Sequence, residues 1–153
     1  MKINEVLPIE NIELSLTAVN KKDLLIKMCE IARRSGKINN LDVVKKQVIE
    51  REEFMTTGIG NGIAIPHSKT NAVDGSVAAF AILKDPINYN SVDGEPVKYV
   101  YLLLDRENNI GNHLRLLSKI SRILNTKNYI EELNKYNTKN EIFDFFTRVE
   151  EIE

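Results

Sequence analysis

Two stretches of this chain, Ser76 to Leu83 and Val97 to Leu104, are almost uninterruptedly apolar. Each is eight residues long, far short of the ~20 needed to span a bilayer. Between them lies Val92-Asp93-Gly94-Glu95-Pro96, a turn signal. Short apolar runs bounded by turns read as strands covered on both faces. Such strands need helices above and below, so the runs predict an α/β fold with flanking helices.

The rest of the chain supplies those helices. Ile12, Leu14 and Leu16 alternate with polar residues and predict a half-buried strand. Asn20 is a candidate N-cap for a helix over Lys21 to Ser35, with Leu24, Leu25, Met28, Ile31 and Ala32 at helical spacing and Gly36 as the terminator. Asn40 is a candidate cap for a second, whose stripe is Leu41, Val44, Val48, Ile49 and Met55. After the apolar strands, Leu114, Leu117, Ile120, Ser121 and Leu124 predict a helix from about Asn112. Ile130 and Leu133 mark a short helix, and Ile142, Phe143, Phe146 and Val149 a last one, capped by Asn137 or Thr138. No repeat or linker interrupts the 153 residues, which read as a single domain, 1–153.

Composition removes several function classes. Lys plus Arg is 21 against 22 Asp plus Glu, a net charge of −1, without the basic excess of a nucleic-acid binder. One cysteine, Cys29, permits no internal disulfide. The first ten residues lack the apolar core of a signal peptide. The expectation is a soluble cytoplasmic protein with no nucleic-acid partner and no direct membrane insertion.

The chemistry-bearing residues are few. Gly58, Gly60 and Gly62 are spaced G-x-G-x-G, but Ile63 stands where a dinucleotide fingerprint needs its third glycine, and no Gly-Lys-Ser/Thr of a P-loop follows. No short-spaced ligand pair suggests a metal, so neither metal nor cofactor is expected. There is no G-x-S-x-G elbow. The only two histidines are better placed. His67 follows Ile63-Ala64-Ile65-Pro66, which predicts a position just past a strand, on a turn. His113 opens a helix. Residue type alone leaves His113 a surface neighbour of a helix cap and Arg51 a solvated member of the Glu50-Arg51-Glu52-Glu53 charge run. Ser68 and Lys69 read as solvent-facing turn residues, and Leu104 to Asn109, with Arg106, as a solvated loop.

Together these residues resemble a known family. Arg51, Thr57-Gly58-Ile59-Gly60-Asn61-Gly62 and Ile63-Ala64-Ile65-Pro66-His67, with 16 positions from Arg51 to His67, are similar to the enzyme IIA component of the bacterial phosphoenolpyruvate-dependent sugar phosphotransferase system, fructose–mannitol–nitrogen type. His113, 46 positions after His67 and heading a His-Leu-x-x-Leu-x-x-Ile helix, and Val92 to Val97 extend the likeness over nearly the whole chain. The resemblance implies a mixed β-sheet flanked by helices, and that His67 accepts a phosphoryl group on Nε2 from the phosphocarrier HPr. It would pass the group to a cysteine of a cognate enzyme IIB belonging to a fructose- or mannitol-type permease. The nitrogen-type branch implies instead a regulatory protein whose His67 phosphorylation state controls binding to other proteins.

The proposed residue roles follow from that resemblance. Arg51 and His113 would attend the phosphoryl charge. Thr57, Gly58 and Gly60 would contribute to phosphoryl or partner binding, Thr57 by orienting His67 or the phosphoryl group unless it is a plain turn residue. A docking face around His67 would draw on Ile59, while Ile63 and Ile65 read as core. A IIA domain touches proteins, so nothing here selects a sugar.

Overall fold

The computed structural model describes residues 1–153. The strands are β1 (Ile12–Leu16), β2 (Gly58–Gly60), β3 (Ile63–Ala64), β4 (His67–Lys69), β5 (Val77–Ile87) and β6 (Val97–Asp105). They form one mixed sheet in the order β1-β5-β6-β3-β2, with β4 also paired to β6. β5 and β6 are antiparallel, whereas β1 runs parallel to β5, and β3 and β4 run parallel to β6. The helices are α1 (Ile3–Val6), α2 (Lys21–Ala32), α3 (Leu41–Phe54), α4 (Ile110–Leu124), α5 (Lys127–Leu133) and α6 (Lys139–Ile152).

The two apolar runs are the central strands, and each feeds two cores. Ala78, Phe80 and Ile82 of β5, with Tyr99, Tyr101 and Leu103 of β6, pack against α1, α4, α5 and α6. The intervening Val77, Ala79, Ala81 and Leu83, with Val100, Leu102 and Leu104, pack against α2 and α3. Strict alternation is hidden in the sequence because both faces are dry.

Local chemistry sets the helix ends. The Asn20 side chain accepts from the Asp23 amide at 2.8 Å and that of Asn40 from the Val43 amide at 3.2 Å. α2 tightens into a 3₁₀ turn at Arg33–Ser35 and stops at Gly36, where φ is +78°. Thr138 and Glu141 form a reciprocal capping box that starts α6.

Several details differ from expectation. β5 runs on to Ile87 through Lys84, Asp85 and Pro86, an exposed overhang. α4 begins at Ile110, and its buried stripe is His113, Leu116, Ile120, Ile123 and Leu124, leaving Leu114 59% exposed. The leucines at 114, 116 and 117 permit two adjacent stripes, and burial of His113 selects the other one. Met55 lies past the end of α3, extended and exposed. In α6 Phe145 is buried and Phe143 only half-buried.

His67 is not on a turn. Ile63 pairs with Tyr99, His67 with Leu103 and Lys69 with Asp105, each 36 positions apart. β3 and β4 are therefore one strand in a single register. The ladder breaks at Ile65-Pro66 because Pro66 has no N–H and the Ile65 amide donates instead to the Thr57 carbonyl at 3.0 Å. Ser68 is consequently buried, with only Lys69 of that pair exposed.

Candidate functional site

β4 holds His67 on the same face as Leu103, its register partner, which packs towards α4 and α6. Within β4, the edge away from β6 has no strand partner. Arg51 of α3 reaches His67 from the other side of the sheet, and its Nη2 lies 3.3 Å from His67 Nε2. From the opposite flank His113, in the first turn of α4, brings its ring centroid to 5.6 Å from that of His67. The three residues are thus gathered from three elements.

The tautomer of His67 follows from its contacts. Nδ1–H donates to the Ile65 carbonyl at 2.9 Å, a bond available because Pro66 holds Ile65 extended. Nε2 then carries the lone pair, and the Arg51 guanidinium donates to it. Burial, first, holds the imidazole below its ordinary 6.5, and the Arg51 charge and the neighbouring His113 act in the same direction. The Ile65 carbonyl and Glu52 oppose them. A neutral ring with its lone pair on Nε2 is a nucleophile. Arg51 caps that lone pair, and a planar guanidinium fork fits the oxygens of an anionic group.

His113 is no surface neighbour of a cap: it is 4% exposed, and its Nδ1 donates to Asp105 Oδ2 at 2.8 Å. Asp105, read from sequence as loop, is the fully buried last residue of β6. Arg106 likewise is half-buried and donates to the Val73 carbonyl at 2.8 Å.

A second buried carboxylate anchors the segment before His67. Glu52, 6% exposed, accepts from the Thr57 amide at 2.7 Å, the Thr57 hydroxyl at 2.5 Å and the Tyr89 hydroxyl at 3.0 Å, and pairs with Lys21 at 3.0 Å. Lys21 also sits 4.3 Å above the Tyr89 ring. Thr57 in turn fixes Ile65 through its carbonyl. The Thr57 hydroxyl is thus engaged with Glu52 and Tyr89.

Sequence reasoning missed Glu52, Tyr89 and Asp105. Glu52 looked like part of a charge run, and only its i, i+1 neighbourhood to Arg51 and its place five residues before Thr57 hint otherwise.

The glycines serve the β2–β3 hairpin. Asn61 and Gly62 have φ of +57° and +80°, a two-residue turn of the primed type. A Cβ on Gly58 would lie 2.3 Å from Ser91 Oγ and 2.9 Å from Ser91 Cα. Gly60, at φ +102°, lies against Asp93. Of the apolar candidates, Ile59 is half-buried, while Ile63 and Ile65 are core. No helix is long and apolar enough to cross a membrane.

This arrangement, a neutral imidazole with a fixed tautomer between a guanidinium and a second imidazole, suits transfer of an anionic group. Comparison with known proteins identifies the family. The chain is similar to the fructose-specific EIIABC component of Bacillus subtilis, 32% identical over 148 residues, or 97% of this chain and 23% of that protein. It therefore spans about a quarter of that relative's length. The fructose-specific EIIA component of Haloferax volcanii is 31% identical over 149 residues, 97% of each chain. The crystal structure of nitrogen regulatory protein IIA-Ntr from Neisseria meningitidis superposes with a TM-score of 0.88 at 30% identity, covering 94% of this chain and 98% of that one. Residues 5–149 match the family described as "Phosphoenolpyruvate-dependent sugar phosphotransferase system, EIIA 2", and the chain belongs to that family.

Proposed function

We propose that the chain, as one IIA domain in the cytoplasm, is a phosphocarrier with a phosphohistidine intermediate. His67 Nε2 attacks the phosphorus of phospho-HPr. An N–P bond forms at His67 as the donor's N–P bond breaks, and the donor imidazole keeps the electron pair. The phosphoryl group then passes to a cysteine of an enzyme IIB in a fructose- or mannitol-type permease. Transfer of this kind is chiefly positioning and charge stabilisation. Arg51 follows the lone pair onto the phosphoryl oxygens, and His113 supplies a second contact.

The observation that carries this reading is the Nδ1–H bond from His67 to Ile65, which leaves Nε2 as the nucleophile facing Arg51. Both sequence relatives described above have fructose-specific names, which supports the transport role. The likeness to the Neisseria nitrogen regulatory protein is the observation behind a second, less supported reading, in which the same phosphohistidine regulates binding to other proteins.

The test is relay to a second protein. The phosphorylated chain is mixed with fructose-type and mannitol-type IIB domains, and label on the IIB cysteine is followed. Rapid transfer to one of them is expected. A stably phosphorylated chain that discharges to none, but binds a target differently in its two states, supports the regulatory reading.

A further inference from the structure

Asp105 is fully buried, and transfer at His67 assigns it no direct part. Its Oδ1 accepts from Asn109 Nδ2 at 3.1 Å and from the Ser76 hydroxyl. An amide nitrogen only donates, so this carboxylate acts as an acceptor, and Oδ2 holds the hydrogen of His113 on Nδ1. In the neutral ring the other nitrogen, Nε2, then presents a lone pair. A lone pair facing a phosphoryl group repels it, whereas a proton on Nε2 attracts it.

The charges near the two rings are few. Arg51 of α3 is hydrogen-bonded to His67 of β4, Asp105 of β6 is bonded to His113, and Glu52, which acts on His67, is already paired with Lys21 of α2. The phosphoryl oxygens carry about −2 of charge, the His67 ring becomes cationic as the N–P bond forms because Nδ1 keeps its hydrogen, and Arg51 adds a second positive charge. His113 is the remaining group able to gain a charge, and Asp105 is placed to stabilise an imidazolium from behind.

We propose that Asp105 is a positioning residue that couples phosphorylation of His67 to uptake of one proton. As the N–P bond forms, His113 takes a proton from solvent on Nε2 and keeps it there as a hydrogen-bond donor to a phosphoryl oxygen, while Asp105 keeps the proton on Nδ1. This rests on the phosphocarrier reading. Asp105→Asn tests it because Ser76 and Asn109 retain the amide oxygen and turn the NH₂ towards His113 Nδ1. That places the hydrogen on Nε2 from the outset and removes the uptake.

The protein is phosphorylated with phosphoenolpyruvate, enzyme I and HPr, and histidine ¹⁵N NMR is recorded at about pH 7.5 before and after. The expected result is one protonated nitrogen on His113 before phosphorylation and two after. The phosphoryl equilibrium with HPr is then measured across pH in wild type and in Asp105→Asn. The donor's own titration is common to both and cancels in their ratio. The wild-type constant should fall relative to the variant by up to about tenfold per pH unit. A phosphorylated wild type with one protonated nitrogen on His113 overturns the proposal, as do identical pH slopes. The wild-type spectra decide alone if the variant does not fold. Failure of wild-type His67 to take any phosphoryl group instead overturns the phosphocarrier reading beneath it.

Discussion

At the scale of single residues, the site is a set of hydrogen bonds that fix which nitrogen of His67 carries the lone pair. His67 is held neutral mainly by burial, so it remains a nucleophile at acidity that would protonate an ordinary histidine. The rate of phosphoryl acceptance plotted against pH should therefore turn down below 6.5, the ordinary value; a mid-point at or above it in a stopped-flow series contradicts the assignment. The Arg51 side chain makes its hydrogen bond to His67 Nε2. Arg51→Ala should slow transfer on the order of 100-fold, as loss of one charge-stabilising donor does. Its unfolding free energy should stay within about 0.5 kcal/mol of wild type. The residue types and spacing of Arg51, His67 and His113 were legible in the sequence. The carboxylates that position them were not, because Glu52 and Asp105 sit in charged stretches and nothing local marks a carboxylate whose partners lie on other elements. Asp105 meets Ser76, 29 residues away, and Glu52 meets Tyr89, 37 away.

At the scale of elements, the strands and helices were readable wherever one periodicity dominated. Caps at Asn20, Asn40 and Thr138, the stop at Gly36 and the two central strands follow from local chemistry. The misreading of α4 came from three leucines that serve two stripes. That of His67 came from taking Pro66 as the end of a strand, whereas β6 carries the pairing straight past it. Parallel pairing joins residues 36 apart, which no local pattern reveals. The β2–β3 hairpin illustrates how packing reaches the site. Gly58→Ala would drive a Cβ into the Ser91 backbone, and overpacking of this kind costs about 1–3 kcal/mol. Chemical denaturation should show that loss together with slower phosphoryl acceptance, because the hairpin carries Thr57, Ile65 and hence His67. An unchanged rate in the folded variant contradicts that linkage.

At the scale of the whole molecule, the sheet separates two cores and brings a residue from each side to one strand end. α3 supplies Arg51 across one face and α4 supplies His113 across the other, so the site depends on both cores being formed. Acid should weaken the fold through this same place. The folded chain binds a proton at His67 less readily than the unfolded chain. The contribution is absent above about 6.5, the unfolded value. It grows as pH falls through the window below that value, and levels off once pH passes beneath the folded one. Stability should therefore decline as pH drops below about 6.5, and His67→Gln should flatten that part of the curve in thermal melts; an unaltered slope contradicts it. The central claim, that His67 carries the phosphoryl group, is tested most directly by intact mass. The native chain and His67→Ala are incubated with phosphoenolpyruvate, enzyme I and HPr. The account predicts one acid-labile phosphoryl group on the native chain and none on the folded variant. Equal phosphorylation of both, or none on the native chain, would contradict it.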